Sequence, residues 1–273
     1  MGQPDPDRPG ARTAAVFVLD VNCGIQRPME YGFRPIGRVH SCFKEKFGAP
    51  RQAGLVPDAC GTLELFPPFN RREYLEGLEE FSHIWLQYVF HAADMQARRS
   101  AVRPPRLGGN RRRGVFGTRS NFRPNPIGLS LVGLDGIDYG RPGGRLRLTG
   151  IDLIDQTPVL DVKPYLPYAD CRLEAIGGFA RERPGAPLQV RFADAVRVSL
   201  RQIPLEDRQQ LTRLMIQVLR LDPRPAYLAT NSRRKDFGTH LLDWNVRWRL
   251  DDGTVTVTRI AAWEEEKRGA STT

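Results

Sequence analysis

The sequence predicts a mainly β protein: an all-β sandwich or barrel with one short helix, followed by a small α+β domain. Three observations carry this. From Phe33 to Ala169 the apolar stretches are short, often alternating, rich in β-branched and aromatic residues, and broken by Gly and Pro. Beyond residue 188 a strand pattern gives way to a sustained helical period and then a hairpin. A chain of 273 residues with 40% hydrophobic and 26% charged side chains has enough apolar material for one large domain or two.

The elements follow in order. Residues 1–28 are rich in Pro, Gly, Asp and Arg and read as a disordered lead-in, with Met29 opening better organised sequence and standing as a candidate start. Residues 29–176 hold the pieces "RPIGRVHSCF", "GTLELF", "HIWLQYVFH", "GVFGTRS", "IGLSLVGLDGI", "GRLRLTGIDLID" and "PVLDVKPYLPYA". Within them "NRREYLEGLEEFS" places Tyr74, Leu75, Leu78 and Phe81 at helical spacing, with Asn70 as N-cap. "GGFARERPGAP", residues 177–187, is a linker. In residues 188–263 "LQVRF" is a strand, and Leu211, Leu214, Met215, Val218 and Leu219 form the apolar face of a helix ended by Pro223. Leu242, Trp244, Val246, Trp248 and Leu250 alternate with polar residues before the turn "DDG". Trp244, Val246 and Trp248 are expected to pack on the helix 206–220, leaving Asn245, Arg247 and Arg249 on the open face.

Composition excludes several classes. No apolar run approaches the ~20 residues that span a bilayer, and Ala14–Leu19 ends at Asp20 without a small-residue cleavage site, so a cytoplasmic protein is expected. Cys23, Cys42, Cys60 and Cys171 form no C-x-x-C pair, and His40, His83, His91 and His240 form no paired ligand spacing, so no metal is expected. The net charge of +10 points to polyanions. All 41 basic residues except Lys44, Lys46, Lys163, Lys235 and Lys267 are arginine, a bias that discounts charge as a signal. Clustering says more: Arg98, Arg99, Arg103, Arg106, Arg111, Arg112 and Arg113 share one long loop without a period, residues 92–113.

The stretch "GVFGTRSNFRPNPIGLS", Gly114–Ser130, alternately frees the backbone with Gly and fixes it with Pro while presenting Arg119 and Arg123. It suits a backbone wrapped around a ligand and equally a chain of turns. Neither G-x-G-x-x-G nor G-x-x-x-x-G-K-[ST] is present, and no G-x-S-x-G elbow occurs. "PPRLGGN" lacks the helix a phosphate cradle needs. His83 and His91 would share one face of a strand through "IWLQYVF", or they are strand-end histidines bonded to backbone. Asp152, Asp155 and Asp161 are metal ligands or, more commonly at such spacing, turn caps. "PRQAG", residues 50–54, offers Arg51 and Gln52 as hydrogen-bonding arms.

Taken together, "KEKFGAPRQAGL" (44–55), "GLEEFSHIWLQYVFH" (77–91), "VRPPRLGGN" (102–110), the 114–130 stretch and "DLIDQTPVLDVKPYLPYAD" (152–170) resemble the TsaA/TrmO family of tRNA methyltransferases. "LDPRPAY" (221–227) and "DWNVRW" (243–248) resemble the C-terminal domain of its bacterial members. The chain departs at Gln156, where the family motif "LLDGTP" has Gly, and at Gly117, where "FATRS" has Ala. The resemblance implies an N-terminal β-barrel that uses S-adenosylmethionine, works as a homodimer, and methylates N6 of threonylcarbamoyladenosine at position 37 of tRNA. It implies cofactor contacts from Gln52, Ala53, Gly54, Phe90, His91, Arg119, Leu129, Asp152, Leu153, Ile154 and Asp155. Chemistry at a poorly nucleophilic N6 suggests Arg119 as a carbonyl-polarising donor and His91 or Asp155 as base. Candidates for tRNA contact are Arg98, Arg99, Arg103, Arg111, Arg112, Arg113, Arg247 and Arg249, the anticodon loop being the partner. The alternatives are a methyltransferase of the same barrel class acting on another RNA or a small metabolite, and a non-catalytic RNA-binding protein.

Overall fold

The computed structural model describes residues 17–21, 29–93, 99–108, 111–140, 143–183, 187–224 and 235–264. The strands in chain order are β1 (Phe17–Val21), β2 (Met29–Phe33), β3 (Gly37–Ser41), β4 (Cys60–Leu65), β5 (His83–Val89), β6 (Ala101–Val102), β7 (Arg113–Gly114), β8 (Ile127–Asp138), β9 (Arg145–Thr149) and β10 (Thr157–Pro164). A short helix α1 (Pro167–Asp170) follows, then β11 (Gln189–Phe192), α2 (Asp194–Arg201), α3 (Leu205–Arg220), β12 (Asp236–Leu241), β13 (Trp244–Asp251) and β14 (Thr254–Ala262). No helix among the described residues is long and apolar enough to cross a membrane.

Six strands close into a barrel in the order β10-β3-β4-β9-β8-β5, with antiparallel neighbours throughout. Closure leaves no edge strand to protect. Alternation in the sequence becomes alternation of burial: Val39 in β3, Leu63 and Leu65 in β4, Ile84 and Leu86 in β5, Leu146 and Leu148 in β9 are all buried. β8 serves two neighbours. Its first half pairs with β5 and its second with β9, and the register shifts between Leu134 and Gly136 as it bends across.

Three expectations are corrected. Part of the supposed lead-in, Phe17–Val21, pairs with Met29–Phe33 as a two-stranded sheet apart from the barrel. The helix expected over 70–82 is two separate 3₁₀ turns, Arg72–Tyr74 and Leu78–Glu80, because Gly77 between them takes φ +83°. Arg71 rather than Asn70 holds the first N-cap position.

The C-terminal sheet has the order β11-β14-β13-β12, with β11 parallel to β14 and the rest antiparallel. α3 follows the expected apolar period, with Leu211, Leu214, Met215, Val218 and Leu219 buried, while α2 and β12 are elements that no expectation covered. Asp252 and Gly253 take positive φ in the "DDG" turn. Trp248 is buried, but its ring partners are Phe237 of β12 and Phe47 of the barrel, with centroids 4.7 and 6.3 Å away. The two parts therefore share one core. Asp58 receives Arg213 at 3.4 Å and bonds Gln217, Leu242 N donates to Cys42 O at 2.8 Å, and Phe43 bridges to Leu241.

Candidate active site

The closed topology sends three loops out of the same barrel end. Residues 42–59 join β3 to β4, 90–126 join β5 to β8, and 150–156 join β9 to β10. Because neighbouring strands are antiparallel, Ser41 lies beside Gly61, Cys60 beside Thr149, and Val89 beside Ile127. Motifs a hundred residues apart in sequence thus meet around one cavity of about 1530 Å³.

Gln52, Phe90, His91, Arg119, Asp152, Leu153 and Ile154 all line this cavity. So do Arg99, Arg103 and Arg112 of the basic loop. Ala53, Gly54, Leu129 and Asp155 stand outside its wall, as do Arg111 and Arg113. Arg98 lies outside the described residues. Arg247 and Arg249 are exposed on β13 and take no part in the cavity wall, and Arg249 already makes two bonds, 2.8 and 2.9 Å, to Asp236. Sequence reasoning missed Tyr88 and the supposed linker: Gly177, Phe179 and Ala180 form part of the cavity wall. Nothing in the composition of 177–187 signalled that.

Asp152 is the best-buried carboxylate of the cavity. Ser130 Oγ donates to its Oδ1 at 2.6 Å and also lies 3.3 Å from the Tyr88 hydroxyl. Burial raises the Asp152 carboxyl above its usual range, against the opposing pull of the Ser130 hydroxyl, the Ala53 amide and the Arg119 charge. Burial likewise pushes the Tyr88 phenol up. The Tyr88 ring fits only because residue 128 is glycine, where a Cβ would come within 2.3 Å of it. That is one reason the 114–130 stretch carries Gly where it does. Arg119 donates to Gln52 Oε1 at 2.5 Å, tying the 50–54 loop to the 114–130 loop.

The rest of that stretch is held by its own bonds. Thr118 Oγ1 donates to Val115 O at 2.8 Å, Arg123 donates to Thr118 O at 2.7 Å, and Val115 N donates to Ser100 O at 2.9 Å. The loop is both a chain of turns and a cavity wall.

The two histidines separate. β5 ends at Val89, so His91 turns into the cavity while His83 stays at the far end against Ser82 and the Tyr165 ring. Burial first, then the Lys46 charge, lowers His91 below its ordinary value of 6.5, with Val89 and Asp155 pulling the other way. Asp155 is a strap: it accepts from Ser41 N at 2.8 Å and pairs with Lys44 at 3.2 Å. Burial alone would raise its carboxyl, but Ser41 N, Lys44 and the Gln156 side chain together outweigh burial and hold it below the usual range. Asp161 caps no turn: it sits within β10 where the register with β5 shifts, accepts from Val162 N at 2.9 Å and pairs with Lys163. No cluster of metal-ligating side chains exists among the described residues.

Gln156 takes φ +64°, the left-handed conformation that explains why glycine is expected there. Its amide faces Arg38 and His40 at 3.3 Å, away from the cavity, so it adds no bulk to the ligand loop.

A closed barrel that gathers a carboxylate, a carboxamide and a guanidinium from three loops, with arginines along the rim, defines a barrel enzyme for a polar ligand and a polyanion. It has none of the features of a doubly wound nucleotide fold. The chain belongs to the tRNA-methyltransferase O family: residues 38–171 match the family's N-terminal domain and residues 185–263 its C-terminal domain. It is similar to an Escherichia coli (strain K12) protein named tRNA (adenine(37)-N6)-methyltransferase, 47% identical over 223 residues, 81% of this chain and 94% of that one. A Pseudomonas aeruginosa protein named putative S-adenosylmethionine-dependent methyltransferase RcsF is 48% identical over 220 residues, 81% of this chain and 93% of that one. The crystal structure of TrmO from Pseudomonas aeruginosa superposes with a TM-score of 0.71 at 40% identity, covering 86% of this chain and 99% of that one.

Proposed function

We propose that this chain transfers a methyl group from S-adenosylmethionine to N6 of threonylcarbamoyladenosine at position 37 of tRNA, acting as a homodimer in the cytoplasm. The observation that carries this is the convergence of Gln52, Arg119 and Asp152 with the basic-loop arginines on one cavity. Its volume of about 1530 Å³ exceeds the ~300–1,000 Å³ that one small ligand fills, which leaves room for a cofactor and a modified base together. The arginine rim suits both a phosphate backbone and the carboxylate of a threonyl substituent. Tyr168, Leu173 and Ile176, all exposed just beyond the barrel, suit a second copy of the chain.

The donor set fits the cofactor. Asp152 complements a cationic group, Gln52 and Arg119 a carboxylate, and Phe90, Leu153 and Ile154 an aromatic ring. When bound, S-adenosylmethionine supplies a methyl group already activated on a sulfonium. The chain's own tasks are then to position the acceptor nitrogen and to exclude water. Arg119 donates towards the carbamoyl carbonyl, which acidifies the N6 proton. His91, neutral at pH 7 because burial lowers its pKa, accepts that proton. Asp155 takes no direct part, since Ser41 and Lys44 occupy it outside the wall.

The test is mass spectrometry of nucleosides from tRNA incubated with the protein and S-adenosylmethionine. Methyl incorporation is expected only in tRNA that already carries threonylcarbamoyladenosine. Equal incorporation into unmodified transcript would overturn the substrate assignment.

A further inference from the structure

Phe116 lines the cavity mouth, yet 79% of it is exposed, next to Val115, which is 3% exposed. That contrast comes from the 3₁₀ turn Val115–Gly117, which buries one side chain and turns the next outward. The turn is fixed. Val115 N donates to Ser100 O, and Val115 O accepts from both Thr118 N at 3.1 Å and Thr118 Oγ1. Arg123 lies over the Phe116 ring at 6.0 Å, itself anchored on Thr118 O. Beside it on the same wall a second pair repeats the pattern, Arg99 over Phe122 at 4.7 Å.

An exposed phenyl ring held on a rigid turn gains nothing for the fold, and here it stands among cations. Aromatic faces interleaved with arginines are what single-stranded RNA uses: the cations track phosphates and the rings stack on unpaired bases, whatever their identity. Arg99 and Arg112 line the same cavity, where their charges are placed for phosphates.

We propose that Phe116 is a stacking surface for an unpaired nucleobase of the RNA substrate, holding the anticodon loop open as the reacting base enters the cavity. This rests on the reading that the substrate is tRNA. Phe116 is thus a positioning residue with no part in proton or methyl transfer.

The experiment uses the full chain, tRNA carrying threonylcarbamoyladenosine, and the variants Phe116→Ala and Phe116→Trp. Loss of one base stack is worth about ten-fold or more in RNA affinity. Phe116→Ala is therefore expected to raise KM for tRNA about ten-fold while kcat stays within about two-fold. Cofactor Kd by calorimetry and the sedimentation coefficient stay unchanged, and Phe116→Trp, with a larger ring face, keeps KM at or below the wild-type value. A wild-type KM in Phe116→Ala overturns the stacking surface alone. Weakened cofactor binding assigns the ring to the cofactor, and a changed sedimentation coefficient assigns it to a second copy; either overturns the proposal. If the wild-type chain makes no methylated product from this tRNA, the tRNA reading fails, and the stacking surface with it.

Discussion

Ser130, on β8, donates a 2.6 Å hydrogen bond to Asp152, on the loop after β9, and so fixes a buried carboxylate at the cavity wall. Residues 22 apart in sequence meet because the antiparallel register of β8 on β9, which sets Gly133 beside Thr149, carries on past the end of β9. The charge it holds is costly. Asp152→Asn is expected to lose most turnover and yet to melt at a higher temperature than wild type at neutral pH. The sign follows from the raised pKa of Asp152. Wild-type stability from this group is fully present below the unfolded carboxyl value of ~3.9 and is lost as pH rises through the higher folded value. Asparagine has no such loss, so the gap in Tm should grow with pH across that window and then level off. Scanning calorimetry of both proteins from acid to neutral pH checks it; a gap independent of pH contradicts it. Ser130→Ala should instead destabilise by about 1.5–3 kcal/mol, leaving the carboxylate short of a donor.

Arg119 and Arg99 line the same cavity but should fail differently. Arg119→Ala unties Gln52 and removes a cavity charge, and is expected to lose most cofactor affinity or turnover. Arg99→Ala should mainly weaken tRNA binding, with the slope of log K against log salt flattened by ~0.7–0.9. Calorimetry with the cofactor and filter binding across a salt series separate the two. Unchanged cofactor affinity and turnover in the Arg119 variant would remove it from the site.

Gln156→Gly should stabilise the fold by about 0.5–1 kcal/mol, the relief of a left-handed residue less the entropy of glycine. The contacts it gives up to Arg38 and His40 at 3.3 Å are exposed and contribute little, and Asp155 keeps Ser41 N and Lys44 when it loses the Gln156 amide. Urea denaturation should show a higher midpoint at unchanged m-value, with activity unaltered because the side chain points away from the cavity.

Trp248→Ala should cost about 3–5 kcal/mol and loosen the contact between the sheet and the barrel as well, since the ring stacks on Phe47 and Phe237. Hydrogen exchange should report faster opening in the 44–50 loop. Arg247→Ala/Arg249→Ala is expected to fold normally and to weaken tRNA binding. Arg249 can leave Asp236 for a phosphate at little cost because that pair is exposed. Wild-type tRNA affinity at every salt concentration would reduce this face to a solvated surface.

The sequence by itself determined the periodic parts of this protein. Alternation in "HIWLQYVFH" and "IGLSLVGLDGI" marks β5 and β8, the apolar face from Leu211 to Leu219 marks α3, and "DDG" marks the last hairpin. These are local signals, set by which side chains must leave water along a repeat of two or of 3.6 residues. Resemblance added the loops that carry chemistry, and seven of its eleven cofactor residues meet at one cavity. Tertiary structure alone decided the rest. Gly77 broke the expected helix, and Asp155 became a strap while Asp152 became the cavity carboxylate. Residues 177–180, read as linker, closed a wall. Deleting residues 180–273 would strip Phe43 and Phe47 of their cover and cut into that wall, so the C-terminal part is no detachable appendage. The Gly77 break is local backbone geometry, but the Asp155 strap onto Ser41, 114 residues away, and the wall built by 177–180 depend on which distant segments become neighbours when the chain packs. That is a long-range pairing, and no local period records it.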